Sequence, residues 1–208
     1  MKPITKRRQW RFSCLLLASA VFASLALAVA LGAADDFDNL ARNTVHSFAS
    51  PLLTELAYGL SFLGSVLAIT ILSALTAAFL WWRGESGAAR LVFATYVAAV
   101  IVNNAIKFTF ARARPEVFFG TAPESFSFAS GHAIMSACYF GVAAGVLSSE
   151  FALSWQRWMV WTAAIILIGG IGWSRVYLGV HYPSDVIAGF ALAAIIVCTM
   201  RGLLGERD

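Results

Sequence analysis

The chain has 208 residues, 60% hydrophobic and 12% charged, with a formal net charge of +4 and a mean hydropathy of +0.76. So much apolar and so little charged sequence argues against an ordinary water-soluble protein. Six spanning helices of roughly 20 residues would use about 120 residues, leaving room for one compact membrane domain over residues 1–208 and no separate soluble one.

In chain order, uncharged runs at 12–31, 56–82, 91–106, 126–149, 158–174 and 186–200 mark the candidate spans. They predict an all-α fold, an integral membrane bundle of six transmembrane helices. The third, fifth and sixth runs are short and reach spanning length only if flanking residues such as Lys107 and Arg201 snorkel to the interface. The first run follows Lys2, Lys6, Arg7, Arg8 and Arg11 and precedes Asp35, Asp36 and Asp38. A cleaved secretory signal would show such flanks, but the uncharged core is long for one, and a retained transmembrane anchor is the expectation. Residues 32–55 read as an outer loop or an interfacial helix, with Pro51 starting the second span.

The fifteen Lys and Arg form no basic stripe with interleaved aromatics, so no nucleic-acid partner is expected, whereas a phosphate-bearing one is. With the N-terminus inside, ten of the fifteen fall on inner segments, and both termini are expected to be cytoplasmic. The outer five are Arg42, Lys107, Arg112, Arg114 and Arg175, clustered mainly after the third span. Cys14, Cys138 and Cys198 lie in apolar stretches and read as small core or lipid-facing residues.

This topology brings four polar groups to the outer face: Lys107 to Pro115, Ser130-Gly131-His132, Ser174-Arg175, and His181 with Asp185. Ser130 can cap the following helix, and Gly131 lets backbone approach a ligand, which suits an anion at a helix start; a plain capped start remains the alternative. In His181-Tyr182-Pro183-Ser184-Asp185, Pro183 suits the first helical turn. Asp185 then either orients His181 or merely caps the helix. Lys107, Arg114 and Arg175 are three cations from separate segments, able to neutralise a phosphate dianion together or to serve singly as interface anchors. Arg112 and His46 join no such group and read as solvated loop residues.

Lys107, six residues, then Arg114-Pro115; Ser130-Gly131-His132; and Ser174-Arg175, five residues, His181, three residues, Asp185: this three-part pattern resembles the signature of the type 2 phosphatidic acid phosphatase family. The signature region covers residues 107–185, and Ala129 stands where the family often has Pro. The resemblance implies that His181 is a nucleophile forming a phosphohistidine, that Asp185 orients it, and that His132 protonates the leaving oxygen. It further implies that Lys107, Arg114, Ser130, Gly131 and Arg175 hold the phosphate. No metal and no cofactor is implied, since guanidinium, ammonium and backbone donors supply the charge stabilisation.

A site at the membrane face suits a lipid phosphate substrate in the bilayer, hydrolysed at the outer leaflet of a bacterial inner membrane, with no obligate protein partner. Similar bacterial proteins act on undecaprenyl pyrophosphate, phosphatidylglycerol phosphate, phosphatidate or lipid A phosphates; undecaprenyl pyrophosphate is the favoured expectation. Two other classes stay open: a membrane transporter, which would place its charges nearer the midplane, and a metal-dependent hydrolase with His132, His181 and Asp185 as ligands.

Overall fold

The computed structural model describes residues 6–121 and 123–204; Lys2 and Arg207, counted above among the inner basic residues, lie outside them. Among the described residues there are eight helices and no strand: α1 (Lys6–Ala30), α2 (Asp35–His46), α3 (Pro51–Leu63), α4 (Val66–Trp82), α5 (Ser86–Phe110), α6 (Gly131–Ser149), α7 (Ser154–Tyr177) and α8 (Pro183–Leu204). Five of these, α1 and α5 to α8, are long and apolar enough to cross a membrane, and α3 with α4 passes the same test as a pair, giving up to six spans.

The uninterrupted apolar run at 56–82 is therefore not one helix. The pair is bent by 48°, and the break has a local cause. Ser65 has left the helical conformation and its side chain accepts from Ala68 N at 3.2 Å, capping α4 anew. Gly64 sits there because a Cβ would meet Ile171 Cγ2 of α7 at 2.3 Å. Pro51 occupies the first turn of α3, as its sequence position predicts, behind the N-cap Ser50.

α6 and α8 form the centre of the bundle. α6 packs on α5, α7 and α8, α1 lies along α8, and α3 lies along α7. Gly189 lets α8 close on α6, since a Cβ there would meet Ser130 O and Ala133 Cβ, each at 2.9 Å. The main core joins Ile69, Ala99, Phe128, Ile134, Cys138 and Leu192, with Phe22, Leu25 and Val29 of α1 packed against it. Buried Cys138 is a core residue, as expected, while Cys14 and Cys198 are partly exposed.

The run at 126–149 also divides. Helix α6 begins only at Gly131, and Phe126 to Ser130 is an irregular segment. Its backbone groups are already engaged: Phe126 O accepts from Lys107 Nζ, and Ser127 N donates to Arg112 O at 2.9 Å. Phe128 is fully buried, with its ring 4.7 Å from that of Phe110 and 6.0 Å from that of Phe22. The segment is apolar because it anchors a loop in the core, a demand that periodicity does not distinguish from a helix.

Helix α2 carries Asp35, Asp36 and Asp38 in its first turn, where carboxylates favour the positive end of the helix dipole. Phe37 and Leu40 are exposed on it while Asp38 and Arg42 are buried. Residues 35–46 are thus a helix lying across one end of the bundle against α7 and α8.

Candidate active site

One end of the bundle collects the last turns of α5 and α7, the first turns of α6 and α8, and the 111–130 and 178–182 connections. The chain leaves α5 through Ala111 in a left-handed conformation, φ 44°, and turns back over the bundle. After α7, Gly179 adopts φ +77° and approaches Phe118 so closely that a Cβ would lie 2.5 Å from its backbone nitrogen. Leu178 O accepts from both Phe118 N (3.1 Å) and Phe119 N (3.2 Å). Glycine is thus required at the turn that delivers His181.

Ser130 caps α6 as its sequence suggests, its hydroxyl accepting from Ala133 N at 3.5 Å, while Ser130 N donates to Asp185 O at 3.0 Å. That second bond fastens the start of α6 to the first turn of α8. His181 is 2% exposed, and its two ring nitrogens face different surroundings. Nδ1 lies 3.4 Å from Asp185 Oδ2 and 3.3 Å from Ser127 Oγ, whereas Nε2 lies 3.1 Å from Arg114 NH1. A guanidinium can only donate, so this contact makes Nε2 the acceptor and puts the ring proton on Nδ1, toward the carboxylate. Burial lowers the His181 pKa to about 4; the adjacent Asp185 opposes the shift, and the charges of Arg114 and Arg175 add to it. The ring is neutral at pH 7.

The cations expected at the site converge there. Arg114 donates to Ser125 O and Val180 O, each at 2.6 Å, and to Ser125 Oγ at 3.0 Å, which fixes its plane beside His181. Lys107, 8% exposed, is held on Phe126 O in the last turn of α5. Arg175 is buried and donates to Ser61 Oγ of α3, while its Nε, also buried, has no partner among the described residues. His132 lies one residue into α6, within electrostatic reach of Arg175, His181, Arg114 and Lys107. Gly131 faces Asn103, whose Oδ1 is buried without a partner among the described residues. All eight residues singled out in the sequence therefore share one end of the bundle. Among the described residues no three His, Cys, Asp or Glu side chains form a group that could hold a metal ion.

Two readings are corrected. Arg112 is not a solvated loop residue: its NH1 donates to Asp185 Oδ1 and its NH2 to Asp38 Oδ2, both at 2.8 Å, and its side chain is 12% exposed. Burial works against its charge, but Asp185 and Asp38 outweigh that and raise its pKa. His46 is likewise no loop residue; it ends α2 and stacks on Phe118 at 3.7 Å between ring centroids. Ser127 and Asp38, both fully buried, also escaped the sequence reading. Ser127 Oγ donates to Asp185 Oδ2 at 2.5 Å, and Asp38 accepts from Ser184 N at 2.8 Å.

Residues 88–207, which include every part of this site except α2 and α3, match the PAP2 superfamily. The chain belongs to the PAP2 superfamily. It is 29% identical over 182 residues to phosphatidylglycerophosphatase B of Bacillus subtilis, covering 87% of this chain and 90% of that protein. It is 37% identical over 121 residues to lipid A 1-phosphatase of Rhizobium etli, and 33% identical over 108 residues to undecaprenyl-diphosphatase of Sulfolobus acidocaldarius. These two matches cover 54% and 49% of this chain, and 51% and 48% of those proteins. The crystal structure of a transmembrane PAP2-type phosphatidylglycerolphosphate phosphatase from Bacillus subtilis superposes with a TM-score of 0.86 at 27% identity, over 93% of this chain and 97% of that one. This PAP2 protein is accordingly a multi-span membrane phosphatase, a hydrolase of phosphoric esters.

Proposed function

We propose that the protein removes the terminal phosphate of a lipid-linked phosphate or pyrophosphate through a phosphohistidine intermediate. The observation that carries this reading is the two-sided setting of His181: Nδ1 faces Asp185, and Nε2 faces Arg114, with Arg175 close to the ring and Lys107 close to both arginines. An anion drawn to those cations meets the Nε2 lone pair.

Nε2 of His181 attacks phosphorus, and the bond from phosphorus to the leaving oxygen breaks as His132, protonated once the bound phosphate dianion offsets the surrounding cations, gives that oxygen a proton. Water then attacks the phosphohistidine, with His132 taking a proton from it, and phosphate departs. Asp185 stabilises positive charge on the ring. Lys107, Arg114, Arg175, Ser130 and Gly131 hold the phosphoryl oxygens, Ser130 through its hydroxyl because its N–H is taken by Asp185 O, and Gly131 through its N–H at the start of α6, where the helix dipole favours an anion. The unpartnered Nε of Arg175 supports this assignment, because a buried guanidinium N–H lacks an acceptor that phosphate would supply.

The site reads the phosphate and not the tail. Phosphatidylglycerol phosphate gains support from the relative matched along most of both chains, and undecaprenyl pyrophosphate stays beside it as the substrate favoured from sequence. The whole chain acts as one membrane domain in a bacterial inner membrane, termini cytoplasmic and site outward. Arg83 at the end of α4, Arg90 near the start of α5 and Arg157 in the first turn of α7 all lie at the helix ends away from the site and support this orientation. Reporter fusions after Phe110 and Tyr177 then read as outside and one after Gly84 as inside; the reverse pattern transfers the site to the other leaflet.

The deciding experiment measures phosphate release by purified protein from phosphatidylglycerol phosphate, undecaprenyl pyrophosphate, phosphatidate and lipid A phosphate, with and without a chelator. Release that survives chelation, accompanied by acid-labile, base-stable label on wild type and none on His181→Ala, is the expected result. Activity lost to chelator, label on a serine, or turnover by His181→Ala overturns the mechanism.

A further inference from the structure

Behind Asp185, on the side away from His181, three further groups form a buried polar cluster, with the exposed Asp35 at its edge. Arg112 NH1 donates to Asp185 Oδ1 at 2.8 Å and to Ser184 Oγ at 2.9 Å, while its NH2 donates to Asp38 Oδ2 at 2.8 Å. Asp38 in turn accepts from Ser184 N through Oδ1 at 2.8 Å and from Ser184 Oγ through Oδ2 at 2.5 Å. Asp38, Ser184 and Asp185 are all 0% exposed, and the guanidinium carbon of Arg112 sits 4.0 Å from the centre of the Tyr182 ring. Asp38 belongs to α2, so this cluster ties the helix across the end of the bundle to the first turn of α8.

Charge counting gives the cluster a purpose beyond packing. A buried guanidinium paired with Asp185 alone would cancel the negative charge that a cationic imidazole ring needs behind Nδ1. Asp38 restores it from inside the protein: Asp38, Arg112 and Asp185 together carry a net charge of about −1 when both carboxylates are ionised, while Asp35, 3.5 Å from Arg112 NH2 but with its side chain 65% exposed, is screened by water and contributes little. The position of the charge matters as well. With Oδ1 held by Arg112, the carboxylate turns Oδ2 toward His181, Ser127 and Tyr182 N.

We propose that Asp38 and Arg112 are positioning residues for catalysis: Arg112 sets the plane of the Asp185 carboxylate, and Asp38 balances Arg112 so that the group behind His181 stays negative. The proposal rests on the reading of His181 as nucleophile. It gives α2 a part in the reaction, although α2 touches neither His181 nor the phosphate-facing cations through any hydrogen bond found among the described residues.

The test compares kcat, KM and thermal midpoint for wild type, Asp38→Asn, Arg112→Gln and the double variant in one detergent. Asp38→Asn keeps the shape but leaves Arg112 balanced only by Asp185 and the water-screened Asp35, and kcat should fall about 30- to 100-fold with KM within about twofold. The double variant returns an unopposed charge to Asp185 and should regain about tenfold in kcat over Asp38→Asn, a non-additivity that a purely structural latch would not produce. Should Asp38→Asn not purify as a folded protein, Arg112→Lys serves instead. One ammonium cannot grip both carboxylates as the fork does, so kcat about tenfold lower at unchanged KM supports the proposal. An Asp38→Asn kcat within about twofold of wild type, a double variant at or below Asp38→Asn, or an unchanged Arg112→Lys each overturns it. His181→Ala run alongside separates the two levels. Activity in that variant removes the nucleophile reading itself, whereas an inactive His181→Ala beside near-normal Asp38 and Arg112 variants removes only the present proposal.

Discussion

Asp185 Oδ2 stands 3.4 Å from His181 Nδ1, one helical turn on in sequence, and both side chains are buried. The carboxylate is the only acidic group within hydrogen-bond reach of that ring among the described residues. Asp185→Asn should therefore lower kcat on the order of 100-fold or more, by removing the charge behind the ring and admitting the wrong tautomer. Steady-state kinetics beside a thermal midpoint within a few degrees of wild type would check it. Near-normal turnover would reduce Asp185 to a helix cap.

Arg175→Lys should impair turnover far more than its conserved charge suggests. A guanidinium offers two parallel donors to phosphate oxygens and an ammonium acts as a point charge. Losing one such contact in a buried pocket should remove roughly 2 to 4 kcal/mol of transition-state stabilisation, about 30- to 1000-fold in kcat/KM. A Lys variant within about twofold of wild type would mean that Arg175 serves as a diffuse charge.

The acid limb of kcat/KM should fall near pH 4, where burial places His181 despite Asp185. In the proposed mechanism its Nε2 attacks only when unprotonated, so kcat/KM should rise with pH through about 4 and level by about pH 6. Arg114 and Arg175 face the same ring and stay charged across that range, and His132 shares the pocket from α6. The stability effect has the same sign. His181 protonates more readily in the unfolded chain, near pH 6.5, so stability is lost as pH falls from about 6.5 to about 4. A pH profile with its limb at 6.5 would contradict the burial.

Gly179→Ala should destabilise the end of the bundle that carries His181. Its φ of +77° disfavours any L side chain, and the added Cβ would press on Phe118 N at 2.5 Å. A cost of about 2 kcal/mol or more follows, with kcat falling as His181 shifts. Thermal unfolding with activity on the same preparation measures both; an unaffected variant would show that the 178–182 turn tolerates rearrangement.

What the sequence made legible follows from distance along the chain. Ser130 with Ala133, and His181 with Asp185, are local pairs whose spacing alone places them together. Lys107, Arg114 and Arg175 needed only the alternation of spans to reach one face. Arg112 and Asp38 are separated by 74 positions, and Asp38 and Ser184 by 146, with no periodicity to announce either pairing. An acidic residue just past an apolar run reads equally well as a solvated flank. The split at Gly64 and Ser65 was hidden for another reason: both halves are uniformly apolar, so the only local signal was a Gly-Ser pair that lipid-facing sequence also contains. Burial against Ile171, a residue of α7, decided the break.

The pairing of α1 with α8 orders events during synthesis. Phe22, Leu25 and Val29 of the earliest helix pack toward a core whose remaining wall, including Leu192, emerges last from the ribosome. Before α8 has been made, that face of α1 lacks its partner, and Ser130 N lacks Asp185 O as its acceptor. Cleavage behind α1 would bare one side of the finished helix α8. On the proposed mechanism, competence for hydrolysis waits for the last helix, since a chain ending before residue 185 lacks the carboxylate behind His181.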